Sequence, residues 1–225
     1  MREQSDELLA EIHAALAPLD AEAAPEDPRQ PLAKKIAEAR HLPEPEDGAV
    51  LVARDMAGLI AGVSTCGWES LPGLDHVLSV GIQVLPASRR QGLGRMLLDR
   101  SVAIAERRGL RLVMGRTREN VPPAAAFCAS FGARQGMIAR ENRLDLRGVD
   151  RSQVDRWIAD GERTPAYRLV FVAGITPPEM AAEATSVMNV MNTAPRENLD
   201  IADSYLTIEQ FRQYEEATTA AGSQR

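Results

Sequence analysis

Three consecutive pieces decide the fold: HVLSVGIQVL (residues 76–85), PASRRQGLG (86–94) and RMLLDRSVAIAERRG (95–109). The first is apolar and rich in β-branched residues, and Pro86 ends it, so it reads as a strand. From the end of the second piece through the third, the apolar positions Leu93, Met96, Leu97, Val102, Ile104 and Ala105 recur at helical spacing, and Gly109 stands where a terminating glycine belongs. A helix over 92–108 follows. The middle piece is then a glycine-rich turn between a strand and a helix N-terminus. The first turn of a helix leaves backbone N–H groups unpaired, and its dipole favours negative charge. Two glycines let a phosphate approach that backbone, and Arg89 and Arg90 add positive charge beside it. A solvated structural turn with two surface arginines is the plainer alternative. Neither common nucleotide motif fits. No Gly-Lys-Ser/Thr follows, and Leu97 occupies the third glycine position of a dinucleotide fingerprint.

Working outward, residues 49–54 (AVLVAR) and 59–65 (LIAGVST) read as two strands joined by a tight turn at 55–58. Before them, apolar residues at helical spacing predict a helix over 5–17, broken by Pro18, and a second over 31–39 opened by Pro31. A proline-rich connector covers 41–47. After residue 109 come a short strand (110–114), a helix over 122–131 closed by Gly132, and a last strand over 134–146. This alternation describes a mixed α/β (α+β) domain rather than a bundle or a sandwich. The rest predicts a helix at 150–159, a strong strand at 167–173 (YRLVFVA), a helix at 179–191, a polar loop and a helix at 207–221. Thr207 and Gln210 form the capping signature of that last helix.

The formal net charge of -6 and the hydrophobic share of 44% suit an ordinary globular domain and oppose a general nucleic-acid binder. No window approaches the apolar length of a membrane span, and no signal-peptide pattern opens the chain. The expected setting is the cytoplasm, away from nucleic acid and membrane. Cys66 and Cys128 lack any metal-ligand spacing, so neither a disulfide framework nor a metal site is expected.

The run Val84-x-Pro86-x-x-Arg89-Arg90-Gln91-Gly92-Leu93-Gly94 resembles the coenzyme motif of the GCN5-related N-acetyltransferases (GNAT), Arg/Gln-x-x-Gly-x-Gly/Ala. Residues 120–132, with Asn120, Phe127, Cys128, Phe131 and Gly132, are similar to a second segment of that family. The resemblance covers about residues 5–146 and implies a GNAT-like central mixed sheet flanked by helices. It further implies an enzyme that moves an acetyl group from acetyl-CoA, a co-substrate, to the amine of a small molecule. The pyrophosphate would rest on the amides of Gln91, Gly92, Leu93, Gly94 and Arg95, beside Arg89 and Arg90. Backbone freed near Gln83 and Val84 would hold the pantetheine arm, and Asn120 and Phe127 would line the far side.

The chain departs from the family where acid and base usually stand. Cys128 occupies the place of the tyrosine acid; a thiol, with a reference pKa of about 8.5, is able to donate a proton. No carboxylate lies on the 76–85 strand, which leaves His76, then Glu69, as candidate base. A catalytically degenerate acyl-CoA-binding module, or an interaction protein working with a partner chain, is the alternative. Residues 148–225 resemble the start of a second GNAT domain, as in tandem members, following a first domain at 1–147. The strand at 167–173 is expected to cover a sheet edge, within the chain or across a homodimer.

Overall fold

The computed structural model describes residues 4–43, 46–162 and 170–222. Its centre is a four-stranded mixed sheet in the order β1 (Glu46–Arg54), β2 (Ile60–Glu69), β3 (Val77–Val84), β4 (Leu112–Gly115). The first three strands are antiparallel and β4 runs parallel to β3. The β1–β2 hairpin closes on Asp55, whose carboxylate accepts the N–H groups of Ala57 and Leu59 at 2.9 Å each.

Alternation along β2 sends Ser64, Cys66 and Trp68 to one face and Val63, Thr65 and Glu69 to the other. Helix α3 (Leu93–Arg108) covers the first face. Leu78 of β3 and Cys66 meet Ile104 and Ala105 of this helix in the buried core. The Arg108 guanidinium lies 3.8 Å over the Trp68 ring. Two fully buried hydroxyls join the layers: Ser64 Oγ and Ser101 Oγ are 2.9 Å apart, and Ser101 donates to the Leu97 carbonyl at 2.8 Å. Gly109 ends the helix at φ 71°, with the N–H of Leu110 returning to Ala105.

The opposite face carries α1 (Asp6–Ala23), α2 (Leu32–Arg40) and α7 (Ile208–Ala220). Pro18 was expected to end the first helix, yet α1 runs through it for five more residues. Tertiary contacts hold α1 along its length. Arg54 grips Glu11, Arg89 grips Glu22, and Leu19 is buried. The burial of Leu19 one residue after the proline, with the ion pairs at either end, accompanies the continuation of the helix past the lost hydrogen bond.

Among the described residues, neither of two expected strands forms. Residues 134–145 form irregular chain ending in a short 3-10 turn at Leu146–Gly148. Their charged run (Arg140, Glu141, Arg143) leaves no continuous apolar face, and β4 offers only a four-residue edge. The chain there is tied instead to a later loop, through the N–H of Asn198 bonding the Gly136 carbonyl at 3.0 Å. Of the strand expected at 167–173, residues 167–169 lie outside the described residues. Val170 to Ala173 form no strand and pair with no sheet edge, and Phe171 is exposed.

The C-terminal part instead builds α5 (Arg151–Glu162), α6 (Ala181–Asn189) and α7, with α6 packed on α7. Asn189 and Asn192 each clamp the returning chain by paired side-chain bonds to the backbone of Leu206 and Ser204. The Thr207–Gln210 capping box is formed as the sequence predicts. Glu215, buried on α7, accepts from the N–H and hydroxyl of Thr176 and from Arg212. No described helix is long and apolar enough to cross a membrane.

Candidate active site

The sheet splits between β3 and β4. Their parallel pairing ends at Val80 and Gly115, while β3 continues to Val84. On the other side, Gln83 pairs with Val63 and the Leu85 N–H bonds the Ala61 carbonyl at 3.0 Å. Antiparallel alternation therefore turns the amide groups of odd-numbered residues toward β2 and those of Ile82 and Val84 toward the missing continuation of β4. The expectation of freed backbone near Gln83 and Val84 thus divides. Val84 faces the open side, its neighbour Ile82 joins it, and Gln83 is spent on the ladder.

The open edge leads into the turn. A 3-10 turn at Pro86–Ser88 is followed by Arg90 at φ 62° and Gly92 at φ 82°, both left-handed. Gly92 carries this conformation as the N-cap of α3, and no side chain caps the helix. The first amides of α3, from Leu93 to Arg95, are thus uncapped. A Cβ on Gly92 would meet nothing within 4 Å, so it is the positive φ, and not crowding, that calls for glycine here. Arg89, before the two left-handed residues, is extended, and the turn runs directly into the uncapped helix start, where unpaired N–H groups suit an anion.

Gly94 plays a different part. A Cβ there would come within 3.1 Å of Cε2 of Phe127, so its absence lets helix α4 (Pro122–Ser130) touch the first turn of α3. Phe127 stacks edge-on against Phe131, and the Arg95 guanidinium sits 5.1 Å from the Phe131 ring. The start of α3 and α4 thus meet through Phe127 and Phe131; Cys128, next to Phe127 on α4, is exposed. Arg90 makes no hydrogen bond or ion pair among the described residues, while Gln91 bonds the Ala87 carbonyl.

Arg89 is engaged. Its Nε donates to the Val84 carbonyl at 3.1 Å and its two terminal nitrogens grip the Glu22 carboxylate at the end of α1. The Arg89 guanidinium holds Glu22 below the ordinary carboxylate range, chiefly through that hydrogen bond. One residue on, the Ala23 carbonyl accepts from Asn120 at 3.0 Å. The end of α1 therefore reaches across the mouth of the split and touches both its sides.

The two residues expected as base, His76 and Glu69, do not reach this point. His76 precedes β3, so about 16 Å of strand separate it from Gly81 and about 26 Å from Val84. It is buried, and its Nε2 meets the Asp200 carbonyl at 3.1 Å, an acceptor that requires the proton on that nitrogen. Its Nδ1 stands 3.7 Å from Asp75. Such a ring is fixed as an anchor for the 200 loop. Glu69 ends β2, about 13 Å of strand from Thr65, the partner of Gly81. It faces Glu46 across the β1–β2 ladder and receives the Tyr214 hydroxyl from α7. Burial first, and the charge of Glu46 second, keep its carboxyl protonated to higher pH than usual, against the Tyr214 hydrogen bond. Tyr214, Glu46 and Glu22 escaped sequence reasoning because no local pattern joins residues so far apart. Between Glu69 and the split, Thr65, Ser79 and Gly81 form an exposed floor of small residues.

The model of the acetyltransferase (GNAT) family matches residues 11–133, more than half of the chain. Over 72 residues the chain is 42% identical to the mycothiol acetyltransferase of Thermobifida fusca (strain YX); the match takes in 32% of this chain and 21% of that protein. Among solved structures, a tandem GNAT protein from the clavulanic acid biosynthesis pathway superposes on 99% of the chain at a TM-score of 0.64 and 23% identity, and the chain spans 65% of its length. A tetramutant of the BH1408 protein from Bacillus halodurans covers 64% of the chain at a TM-score of 0.51 and 17% identity, with 98% of its own length matched.

Proposed function

Because the chain belongs to the acetyltransferase (GNAT) family, we propose that it transfers an acetyl group from acetyl-CoA to the amine of a small molecule by direct attack on the thioester. The observation that carries this is the amide edge of Ile82 and Val84, left open by a short β4 and leading into the uncapped start of α3. Acetyl-CoA brings the activated thioester. The amides from Gln91 to Arg95 bind its diphosphate, with Arg90, unpaired among the described residues, beside them, and Phe127 and Asn120 line the far wall. The Val84 and Ile82 backbone orients the arm, as a strand edge orients an added strand.

The acceptor amine approaches over Thr65, Ser79 and Gly81, and its nitrogen replaces sulfur on the acetyl carbon. Given the separation of His76 and Glu69 from the split, water takes the amine proton and passes it outward along that floor. Cys128, exposed and next to Phe127 in the chain, is the candidate that returns a proton to the leaving thiolate. Two units share the work. Residues 1–147 hold the coenzyme, and residues 148–225 shape the acceptor end through Tyr214 and expose Trp157 and Ile158 to a second copy or a partner chain.

A second reading is a module that binds acyl-CoA without chemistry, favoured by the engagement of His76 with Asp200 and by the cysteine in the place of the tyrosine acid. Titration calorimetry of acetyl-CoA, followed by free-thiol release across an amine panel, tests both. Binding without amine-dependent thiol release selects the second reading, and absence of binding removes both.

A further inference from the structure

The last turn of α1 carries an internal occupant for the cationic side of the coenzyme turn. Glu22 offers Arg89 two carboxylate oxygens, the same planar pair a phosphoryl group offers. The contact is not buried: Arg89 is 26% exposed and Glu22 35%. It is therefore exchangeable with an anion from solvent and worth little on its own. Its place gives it consequence. Arg89 is tied to Val84, the last residue of the open strand edge, and Ala23, next to Glu22, is tied to Asn120 on the opposite side of the split. The end of α1 thus spans the entrance, and Glu22 neutralises the Arg89 charge there.

We propose that Glu22 is a built-in competitor for the diphosphate of the coenzyme: it occupies Arg89 when the site is free, and binding requires its release, which removes one of the two ties on the end of α1 and leaves the Ala23–Asn120 bond. This rests on the coenzyme-binding reading above and adds to it a residue that sets affinity and couples binding to α1. The competitor belongs to the chain itself, so its effect is a fixed reduction of the binding-competent fraction.

The test uses the full chain as wild type, Glu22→Gln and Glu11→Gln, each titrated with CoA by calorimetry. Glu11→Gln is the control, because Glu11 forms the equivalent two-pronged pair with Arg54 on the same helix, away from the turn. Glu22→Gln is expected to bind CoA about two- to fivefold more tightly, the range open to an exposed ion pair, and Glu11→Gln to match wild type. The gap between Glu22→Gln and wild type should shrink in about 1 M salt, where such a pair is screened. Equal or weaker binding by Glu22→Gln overturns the inference and leaves the coenzyme reading standing, since wild type still binds. A gain shared by Glu11→Gln also overturns it, by showing that any loosening of α1 suffices. Binding by none of the three removes the coenzyme reading and this inference together.

Discussion

Replacing Tyr214 by Phe removes one oxygen and leaves the ring, so it isolates the hydroxyl that bridges Glu46 and Glu69. A hydrogen bond to a charged group contributes about 1.5–3 kcal/mol, and partial exposure here trims that to roughly 1–2 kcal/mol. With a urea slope of about 2 kcal/mol per molar, the midpoint of unfolding should fall by about 0.5–1 M near neutral pH. The pH dependence is the sharper readout. Burial and the neighbouring Glu46 charge raise the Glu69 carboxyl above its ordinary value, while Tyr214 opposes them. A raised carboxyl contributes stability that is fully present below its unfolded value and is lost as pH rises through its folded value. Without the hydroxyl the rise is larger, so the loss between acid and neutral pH grows. The deficit of Tyr214→Phe against wild type should be smaller near pH 4 than near pH 7.5, measured by urea unfolding followed by circular dichroism. A deficit of the same size at both pH values, or none at neutral pH, would refute the placement of Tyr214 between two carboxylates.

Leu78 is fully buried between the sheet and α3, so Leu78→Ala should cost about 2–5 kcal/mol in chemical unfolding. Thr207→Ala removes the side-chain acceptor of the capping box and should cost about 0.5–2 kcal/mol, seen as faster amide exchange in the first turn of α7. His76→Ala should leave the affinity for CoA within twofold of wild type by calorimetry while accelerating amide exchange around Asp200; a tenfold loss of affinity would place His76 in the binding site.

The strand-turn-helix of residues 76–109 was legible because every signal in it is local. Apolar period, Pro86, the glycines and the Gly109 stop all act within a few residues of their own position. Thr207 and Gln210 were legible for the same reason. Pro18 misled because its effect on α1 is decided by Glu11, Glu22 and Leu19 meeting distant elements. The segment 134–146 misled because moderate strand propensity means little without an edge long enough to pair with. In the candidate site, the glycines and the open strand were foreseeable from the motif. The engagement of Arg89 was not, since Glu22 lies 67 positions away on a helix expected to have ended. His76 had suitable chemistry for a base, but only the strand length separates it from the split, and length along a strand becomes distance only once the register is known.

The paired hydroxyls of Ser64 and Ser101 impose an order on how this core is able to drift. Ser101 has its own acceptor in the Leu97 carbonyl, whereas Ser64 has Ser101 and otherwise only the Cys66 sulfur at 3.9 Å. Losing Ser64 first leaves Ser101 satisfied. Losing Ser101 first strands a buried hydroxyl at about 1–3 kcal/mol. A lineage exchanging both for alanine therefore has a smooth path in one direction and a barrier in the other, so the history of the second position depends on that of the first.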